Sequence, residues 1–312
     1  MGGLQLDTIS KIGPLKRLDN FVEYEGIKLS VDPLSRKRTD LDDNTFDIFL
    51  EEQPCLWEWS KNLVEETIAR AEGSIDFLDV GTGSGIFALL ADRYTSAENI
   101  IGIEKVKNVC EKAKKNGDIN KANVDFRHEK YHVSSVPQKS CKVIFMNPPY
   151  HIYPPEIEDN LPQHARGGFD GQGVFREQIV AANYHLAEGG ILVYHKMSVA
   201  KESVGYGHVS SANPEDRQFA KAVMKDCCLR SSDILRETST HNFLTGVYQG
   251  KHDEFISRFS EQYPYIHFEN VVLLRKKEKP FLKIPPRIYI PGLTWTDRIL
   301  LHREIAKHAY SK

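Results

Sequence analysis

Residues 74–91 run from a short apolar stretch through three closely spaced glycines into a second apolar stretch. A buried strand, a glycine-rich turn and a helix in this order create a helix N-terminus that binds a nucleotide-like ligand. The glycines are Gly81, Gly83 and Gly85, so their spacing is Gly-x-Gly-x-Gly. A dinucleotide-binding turn has Gly-x-Gly-x-x-Gly, and its last glycine would fall at Ile86. The stretch therefore predicts a nucleotide-type site and argues against NAD.

Strands and helices alternate along the chain after this unit. We predict strands over residues 99–104, 124–127, 143–146 and 190–195, and helices over 106–116 and 173–186. Downstream we predict a loop over 198–214, helices over 214–228, 253–263 and 296–309, and a strand over 267–274. The alternation indicates an α/β fold with a doubly wound, mostly parallel sheet that binds ligands at the carboxyl ends of its strands.

The N-terminal region has a different pattern. Apolar and polar residues alternate over residues 21–31 on both sides of Glu25-Gly26, which predicts a hairpin with its turn at the glycine. Helical spacing over 45–72 is interrupted by Pro54, so we expect two helices there. We expect residues 1–70 to form a cap, 71–250 the ligand-binding domain, and 251–312 an extension that completes the sheet and packs on that domain.

Two acidic residues follow predicted strands at the edge where the glycine turn lies. Glu104 ends the second strand about twenty residues after the turn, where a carboxylate accepts both hydroxyls of a ribose. The alternative is a surface charge, but the distance to the glycine turn favours the ribose. Glu129 follows the third strand within residues 128–131, where the base of the ligand would lie, and the sequence leaves open which of these residues bounds the base.

The fourth strand ends abruptly at the segment Asn147-Pro148-Pro149-Tyr150. Proline donates no ladder hydrogen bond, so the strand must stop here. The Asn147 side-chain oxygen and a stiff backbone carbonyl would offer hydrogen-bond acceptors to an NH2 group. A strand-ending turn is the alternative for such a segment taken alone.

Composition excludes several classes of function. Lysine and arginine number 41 against 43 acidic residues, so no general basic field requires nucleic acid as a partner. We read Arg36-Lys37-Arg38 and the basic run over 275–279 as solvated. The five cysteines include no Cys-x-x-Cys pair, and we expect reduced thiols and no metal site. With neither a secretory pattern nor a long apolar stretch, we expect a cytoplasmic protein and no membrane partner.

The motifs together resemble those of class I S-adenosylmethionine-dependent methyltransferases of the Asn-Pro-Pro-Tyr type, over about residues 70–195. The resemblance implies a Rossmann-like sheet of seven strands and S-adenosylmethionine as cofactor. It implies an acceptor-binding, catalytic role for Asn147, Pro148 and Tyr150, with Tyr150 stacked on the planar group that carries the acceptor nitrogen. The implied cofactor-binding residues are Asp79, Gly81, Thr82, Gly83, Gly85, Glu104, Glu129 and Asn147.

Two further features are similar to those of HemK-type protein glutamine methyltransferases. These are the Gly-Gly-x-Asp-Gly segment at 167–171 and the hairpin over 23–31. That family's Ile-Pro-Arg-Pro-Glu-Thr-Glu stretch and its usual N-terminal helical bundle are absent, and residues from about 240 onward look additional.

The expected activity is therefore N-methyl transfer to a planar nitrogen, first of all a protein glutamine amide. A small-molecule amide, amine or guanidine is the main alternative, and adenine in RNA or DNA comes third. A different class of function is a non-catalytic scaffold that keeps the cofactor-binding fold. The retained residues that would grip the acceptor argue against it. His151 and His164 are near the segment in sequence, but a general base is optional. Oligomeric state is not predicted.

Overall fold

The computed structural model describes residues 16–18, 21–32, 52–161, 166–201, 223–249 and 251–276. In chain order the strands are β1 (Lys16–Leu18), β2 (Phe21–Tyr24), β3 (Ile27–Ser30), β4 (Ile75–Val80), β5 (Ile100–Glu104), β6 (Asp125–His128), β7 (Cys141–Met146), β8 (Leu186–Ala200), β9 (Cys227–Ser239) and β10 (Tyr265–Arg275). The helices are α1 (Gln53–Arg70), α2 (Ile86–Tyr94), α3 (Lys107–Asn120), α4 (Gly173–His185), α5 (Thr240–Tyr248) and α6 (Asp253–Gln262), with a 3₁₀ helix at Pro155–Asn160.

The central sheet has seven strands in the order β6-β5-β4-β7-β8-β10-β9. Strands β4 to β8 pair in parallel, whereas β10 runs antiparallel to both of its neighbours. This arrangement confirms the predicted fold class, a Rossmann-like and mostly parallel seven-stranded sheet. Because β10 lies inside the sheet, residues 265–275 belong to the same unit as the strands that precede them.

Side chains that alternate along the strands fill a separate hydrophobic cluster on each face of the sheet. On β4, Phe77 points into the cluster that includes α1 and α2, and Leu78 points into the cluster that includes α4. Parallel strands buried on both faces read as continuous apolar runs, as β4, β5 and β7 do. Within the first cluster, Phe145 packs against Phe77 with ring centroids 5.0 Å apart and against Trp57 at 6.1 Å.

The predicted hairpin is formed by β2 and β3, and β1 adds a third strand. Glu25 and Gly26 both have left-handed backbone angles, with φ of 49° and 70°, as a two-residue turn that matches strand twist requires. Val22 and Leu29 are buried in the same cluster as α1 and α2, so the hairpin packs on the main domain.

Some of the predicted boundaries differ from those in the structure. Helix α1 begins at Gln53 with Pro54 in its first turn, where the missing N–H is not needed, and the first of the two expected helices lies outside the described residues. Strand β8 continues to Ala200, so the predicted loop cannot begin at Ser198. Cys227 opens β9 rather than closing a helix. The predicted helix over 296–309 and the basic cluster at 36–38 lie outside the described residues.

The long strands β8, β9 and β10 extend past the end of the parallel strands. Over that extension, helices α5 and α6 cover a third cluster in which Ile152, Met197 and Phe259 are buried and Tyr150 is partly buried. Among the described residues, no helix combines the length and apolar character that crossing a membrane requires.

Candidate active site

The glycine turn leads from β4 into α2 at the carboxyl edge of the sheet. Gly81, Gly83 and Gly85 have φ angles of 70°, 55° and 88°, a region that residues with a Cβ rarely adopt. The amides of Gly81 and Thr82 donate to the carbonyl of Ile103 on β5, at 2.8 and 2.9 Å. The turn is thus held against the neighbouring strand.

Asp79 lies one residue before the end of β4 and is buried. Its Oδ2 accepts from the Thr82 hydroxyl at 2.6 Å and from the Ala88 amide, in the first turn of α2, at 3.3 Å. Burial raises the pKa of Asp79 to about 7, against the effect of these two hydrogen bonds. In this structure the carboxyl group ties the glycine turn to the start of the helix.

Glu104 ends β5, and its carboxylate faces the glycine turn. One oxygen accepts from the Gly83 amide at 3.2 Å and the other from the Val106 amide at 3.0 Å. Burial raises the pKa of Glu104 above its ordinary value. Glu129, after β6, donates its amide to the Glu104 carbonyl at 3.0 Å, and its Oε1 is buried without a hydrogen-bond partner among the described residues. The structure therefore places both predicted acidic residues at one edge.

The segment Asn147-Pro148-Pro149-Tyr150, called the clamp from here on, follows β7 directly. Val80 pairs with Met146 in the parallel register, so the clamp begins beside the glycine turn. Asn147 Nδ2 donates to Glu52 Oε1 at 2.6 Å, and the Tyr150 hydroxyl donates to Glu52 Oε2 at 2.8 Å. Asn147 Oδ1 is buried and has no hydrogen-bond partner among the described residues.

The glycine-rich segment at 167–171 packs directly against the backbone of the clamp. A Cβ placed on Gly167 would stand 2.6 Å from the carbonyl carbon of Tyr150, a distance that real Cβ contacts do not show. The Gly173 amide closes the loop on the Gly167 carbonyl at 2.8 Å, and Asp170 pairs with Arg176 on α4. These glycines thus permit a close approach of two backbones.

Strands β8 and β10 bring polar residues to the far side of Tyr150. His195 packs edge-on to the Tyr150 ring with centroids 5.5 Å apart. Its Nδ1 lies 2.8 Å from Asn270 Oδ1, and Asn270 Nδ2 lies 3.9 Å from the Cys55 sulfur. Because that amide group uses its nitrogen as a donor to sulfur, its oxygen accepts, and His195 carries its proton on Nδ1.

Sequence reasoning missed Glu52, His195 and Asn270 because they come from the residue before α1, from β8 and from β10, far from the motifs. The sequence signal that could have found His195 is its position, because it is a polar residue at the end of the otherwise apolar run over 190–195. Of the two histidines considered earlier, His151 is exposed and stacks on Tyr150 at 5.4 Å, and His164 lies outside the described residues.

A family described as "Methyltransferase domain" matches residues 77–167, which include the glycine turn, Glu104 and the clamp. A release factor glutamine methyltransferase from Geobacter sulfurreducens is 28% identical over 138 residues, 42% of this chain and 48% of that protein. A ribosomal protein L11 methyltransferase from Aquifex aeolicus is 30% identical over 102 residues, 32% of this chain and 39% of that protein. The chain thus spans less than half the length of these curated relatives.

Among solved structures, a methyltransferase from Pyrococcus furiosus aligns over 70% of this chain and 82% of its own, with 16% identity and a TM-score of 0.40. The family match and the sheet order define residues 77–167 as part of a class I methyltransferase domain. The cofactor of this domain is S-adenosylmethionine.

Proposed function

We propose that this protein is an S-adenosylmethionine-dependent N-methyltransferase whose clamp holds a planar acceptor nitrogen. The observation that carries the proposal is Asn147 Oδ1, a buried acceptor without a partner among the described residues, located where β7 ends beside the glycine turn. A buried polar atom left unpaired costs about 1–3 kcal/mol, and an N–H group from an acceptor removes that cost.

The residues at the carboxyl edge fit the cofactor. We assign Gly81, Gly83 and Gly85 to the backbone cradle, because a left-handed turn without side chains lets a ligand approach the main chain closely. Glu104 is assigned to the ribose hydroxyls and the unpaired Glu129 Oε1 to a donor on the adenosine part. Asp79 and Thr82 shape the turn through their mutual hydrogen bond.

When bound, S-adenosylmethionine supplies an electrophilic methyl group on a sulfonium, which departs as a neutral thioether. The protein's contribution is position and charge. Asn147 Oδ1 and the Pro148 carbonyl accept the two N–H bonds of the acceptor, which favours a pyramidal nitrogen with its lone pair directed at the methyl carbon. Methyl transfer would leave the acceptor nitrogen cationic and more acidic, so the protein would not need a dedicated general base.

The first acceptor we propose is the side-chain amide of a protein glutamine. The relative from Geobacter sulfurreducens, whose name states glutamine as its acceptor, supports it. The second is a small-molecule amide, amine or guanidine. This second acceptor is favoured by the aromatic side chains of α5, α6 and β10 that surround Tyr150. Tyr248 donates its hydroxyl to the Ile152 carbonyl at 2.5 Å, and the Phe268 ring lies edge-on to the Tyr150 ring with centroids 6.1 Å apart.

The experiment that tests the proposal offers radiolabelled S-adenosylmethionine with three acceptor sets: a glutamine-containing peptide, a mixture of small amides, amines and guanidines, and RNA and DNA oligonucleotides. We expect label in the peptide; label in the mixture would replace it with the second acceptor, and label in oligonucleotides alone would contradict both. Asn147→Ala should lower kcat by about 100-fold and leave the Kd for S-adenosylmethionine nearly unchanged. Equal kcat would refute the role of Asn147.

A further inference from the structure

The carboxylate of Glu52 accepts one hydrogen bond from each of the two donor side chains of the clamp, Asn147 and Tyr150. Its Oε1 accepts from Asn147 Nδ2 at 2.6 Å and its Oε2 from the Tyr150 hydroxyl at 2.8 Å. Gln53 also donates to Oε1, at 3.3 Å. Glu52 immediately precedes α1 and lies outside the residues matched by the methyltransferase family, so the clamp is completed from another part of the fold.

This contact determines which way the Asn147 amide faces. An ionised carboxylate only accepts hydrogen bonds, so the NH2 side of the amide must face Glu52. The carbonyl side then faces away, and it is this Oδ1 that is buried without a partner among the described residues. The reverse orientation would place two oxygens against each other in a partly buried site.

The Tyr150 hydroxyl is likewise held by Glu52. Burial, and secondarily the adjacent Glu52 carboxylate, raise the pKa of the Tyr150 phenol well above its ordinary value. The phenol therefore stays neutral and spends its single O–H on Glu52. A neutral phenol has no second donor to offer to a ligand.

We propose that Glu52 is a positioning residue that makes the clamp selective for nitrogen acceptors that carry N–H groups, and against carboxylate oxygens. With the Tyr150 hydroxyl and one Asn147 N–H bound to Glu52, the clamp turns the Asn147 carbonyl oxygen away from Glu52, and the negative charge of the Glu52 carboxylate repels an anionic ligand. The chemical class admitted is an amide, amine or guanidine nitrogen. The inference rests on the proposed function, since it takes the clamp to be the acceptor site.

The first test follows the Asn147 side chain by NMR in the full chain labelled with ¹⁵N-asparagine. Asn147→Asp identifies its resonance by removing it. We expect one Hδ2 proton of the wild type to be strongly deshielded and slow to exchange, as for a donor to a carboxylate. Glu52→Gln should abolish both properties, and Glu52→Asp, which keeps the carboxylate, should restore them in part.

Glu65→Gln provides the matched control, because Glu65 lies on α1, the helix that Glu52 precedes, and its carboxylate instead accepts from the Ser96 amide at 2.9 Å. It should leave the Asn147 resonance unchanged. An Asn147 resonance with the same shift and exchange rate in Glu52→Gln and the wild type would overturn the proposal.

The second test titrates acetamide and acetate into the complex with S-adenosylhomocysteine and reads the Asn147 resonance. The wild type should respond to acetamide at a concentration at least about tenfold lower than to acetate, and Glu52→Gln should reduce or reverse that ratio. A wild type that responds equally to both, or a ratio unchanged in Glu52→Gln, would contradict the role of Glu52. If neither compound shifts the Asn147 resonance of the wild type, the proposed acceptor site is wrong. The first test is independent of that result, because it still decides whether Glu52 orients the Asn147 amide.

Discussion

Replacing Gly167 with alanine would place a methyl group inside the backbone of the clamp. The added Cβ would lie 2.6 Å from the Tyr150 carbonyl carbon, 2.7 Å from its Cα and 2.8 Å from the His151 nitrogen. Ordinary contact begins at 3.4 Å, so the two backbones must separate by the difference between 3.4 and 2.6, or 0.8 Å. All three atoms are main-chain atoms, which cannot rotate away as a side chain can.

The magnitude follows from this displacement. Overpacking of a close contact costs about 1–3 kcal/mol of the free energy of unfolding. A misplacement of about 1 Å at reacting groups costs up to about 100-fold in rate. We therefore expect Gly167→Ala to lower kcat by about 10- to 100-fold, with little change in the Kd for S-adenosylmethionine because the glycine turn is not touched.

The assay combines urea denaturation, calorimetry with S-adenosylmethionine, and methyl transfer to whichever acceptor the wild type labels. Gly246→Ala serves as the control, since nothing lies within 4 Å of a Cβ there and the residue is inside helix α5. It should stabilise the protein by roughly 0.5–1 kcal/mol and leave kcat unchanged. If Gly167→Ala matched Gly246→Ala in stability and kcat, the glycine-rich loop would not support the clamp.

Three further predictions concern the rest of the site. Burial raises the pKa of Asp79 from 3.8 to about 7, so at about 1.36 kcal/mol per pH unit its ionisation costs about 4 kcal/mol of stability. The stability that the protonated Asp79 carboxyl group contributes is fully present below pH 3.8 and is lost as the pH rises to about 7. Urea denaturation should show this loss in the wild type but not in Asp79→Asn. A difference in stability between the two proteins that does not vary with pH would contradict the prediction. Glu104→Gln should raise the calorimetric Kd for S-adenosylmethionine by about 10- to 100-fold, as expected for lost hydrogen bonds to a charged group, whereas Glu111→Gln on the exposed face of α3 should not. Asn116→Ala removes a buried amide that bonds both the hairpin backbone and the glycine turn, and should cost roughly 2–4 kcal/mol by urea denaturation, more than Asn120→Ala at the exposed hairpin contact; equal losses would refute the linking role.

Local patterns in the sequence were sufficient to predict most elements of the fold. Apolar runs bounded by turn residues marked β4, β5 and β7, and their alternation with helices indicated a parallel sheet. The predicted end of β8 was wrong, because the strand was expected to stop at His195 but continues to Ala200. Lys196 and Ser198 are polar yet buried, because Glu269 on β10 lies 3.5 Å from the Lys196 ammonium and accepts from Ser198 at 2.7 Å. Such pairing is invisible to a hydrophobicity pattern along one strand.

The sequence alone determined the parts of the site that depend on local chain geometry. The glycines of the turn are required by left-handed backbone angles, and the prolines of the clamp end β7 wherever that strand lies. Because parallel strands present their carboxyl ends at one edge, the turn, Glu104 and Asn147 had to meet. Their common position at this edge could be predicted before any fold was known.

Only the tertiary structure decided how the clamp is completed. Glu52 lies 95 residues before Asn147 and carries no motif, yet it orients the Asn147 amide and binds the Tyr150 hydroxyl. No local pattern specifies that contact, because it depends on how the start of α1 lies against the end of β7. The sequence therefore predicts that a nitrogen is gripped, and the packing of α1 supplies the carboxylate that we propose selects it.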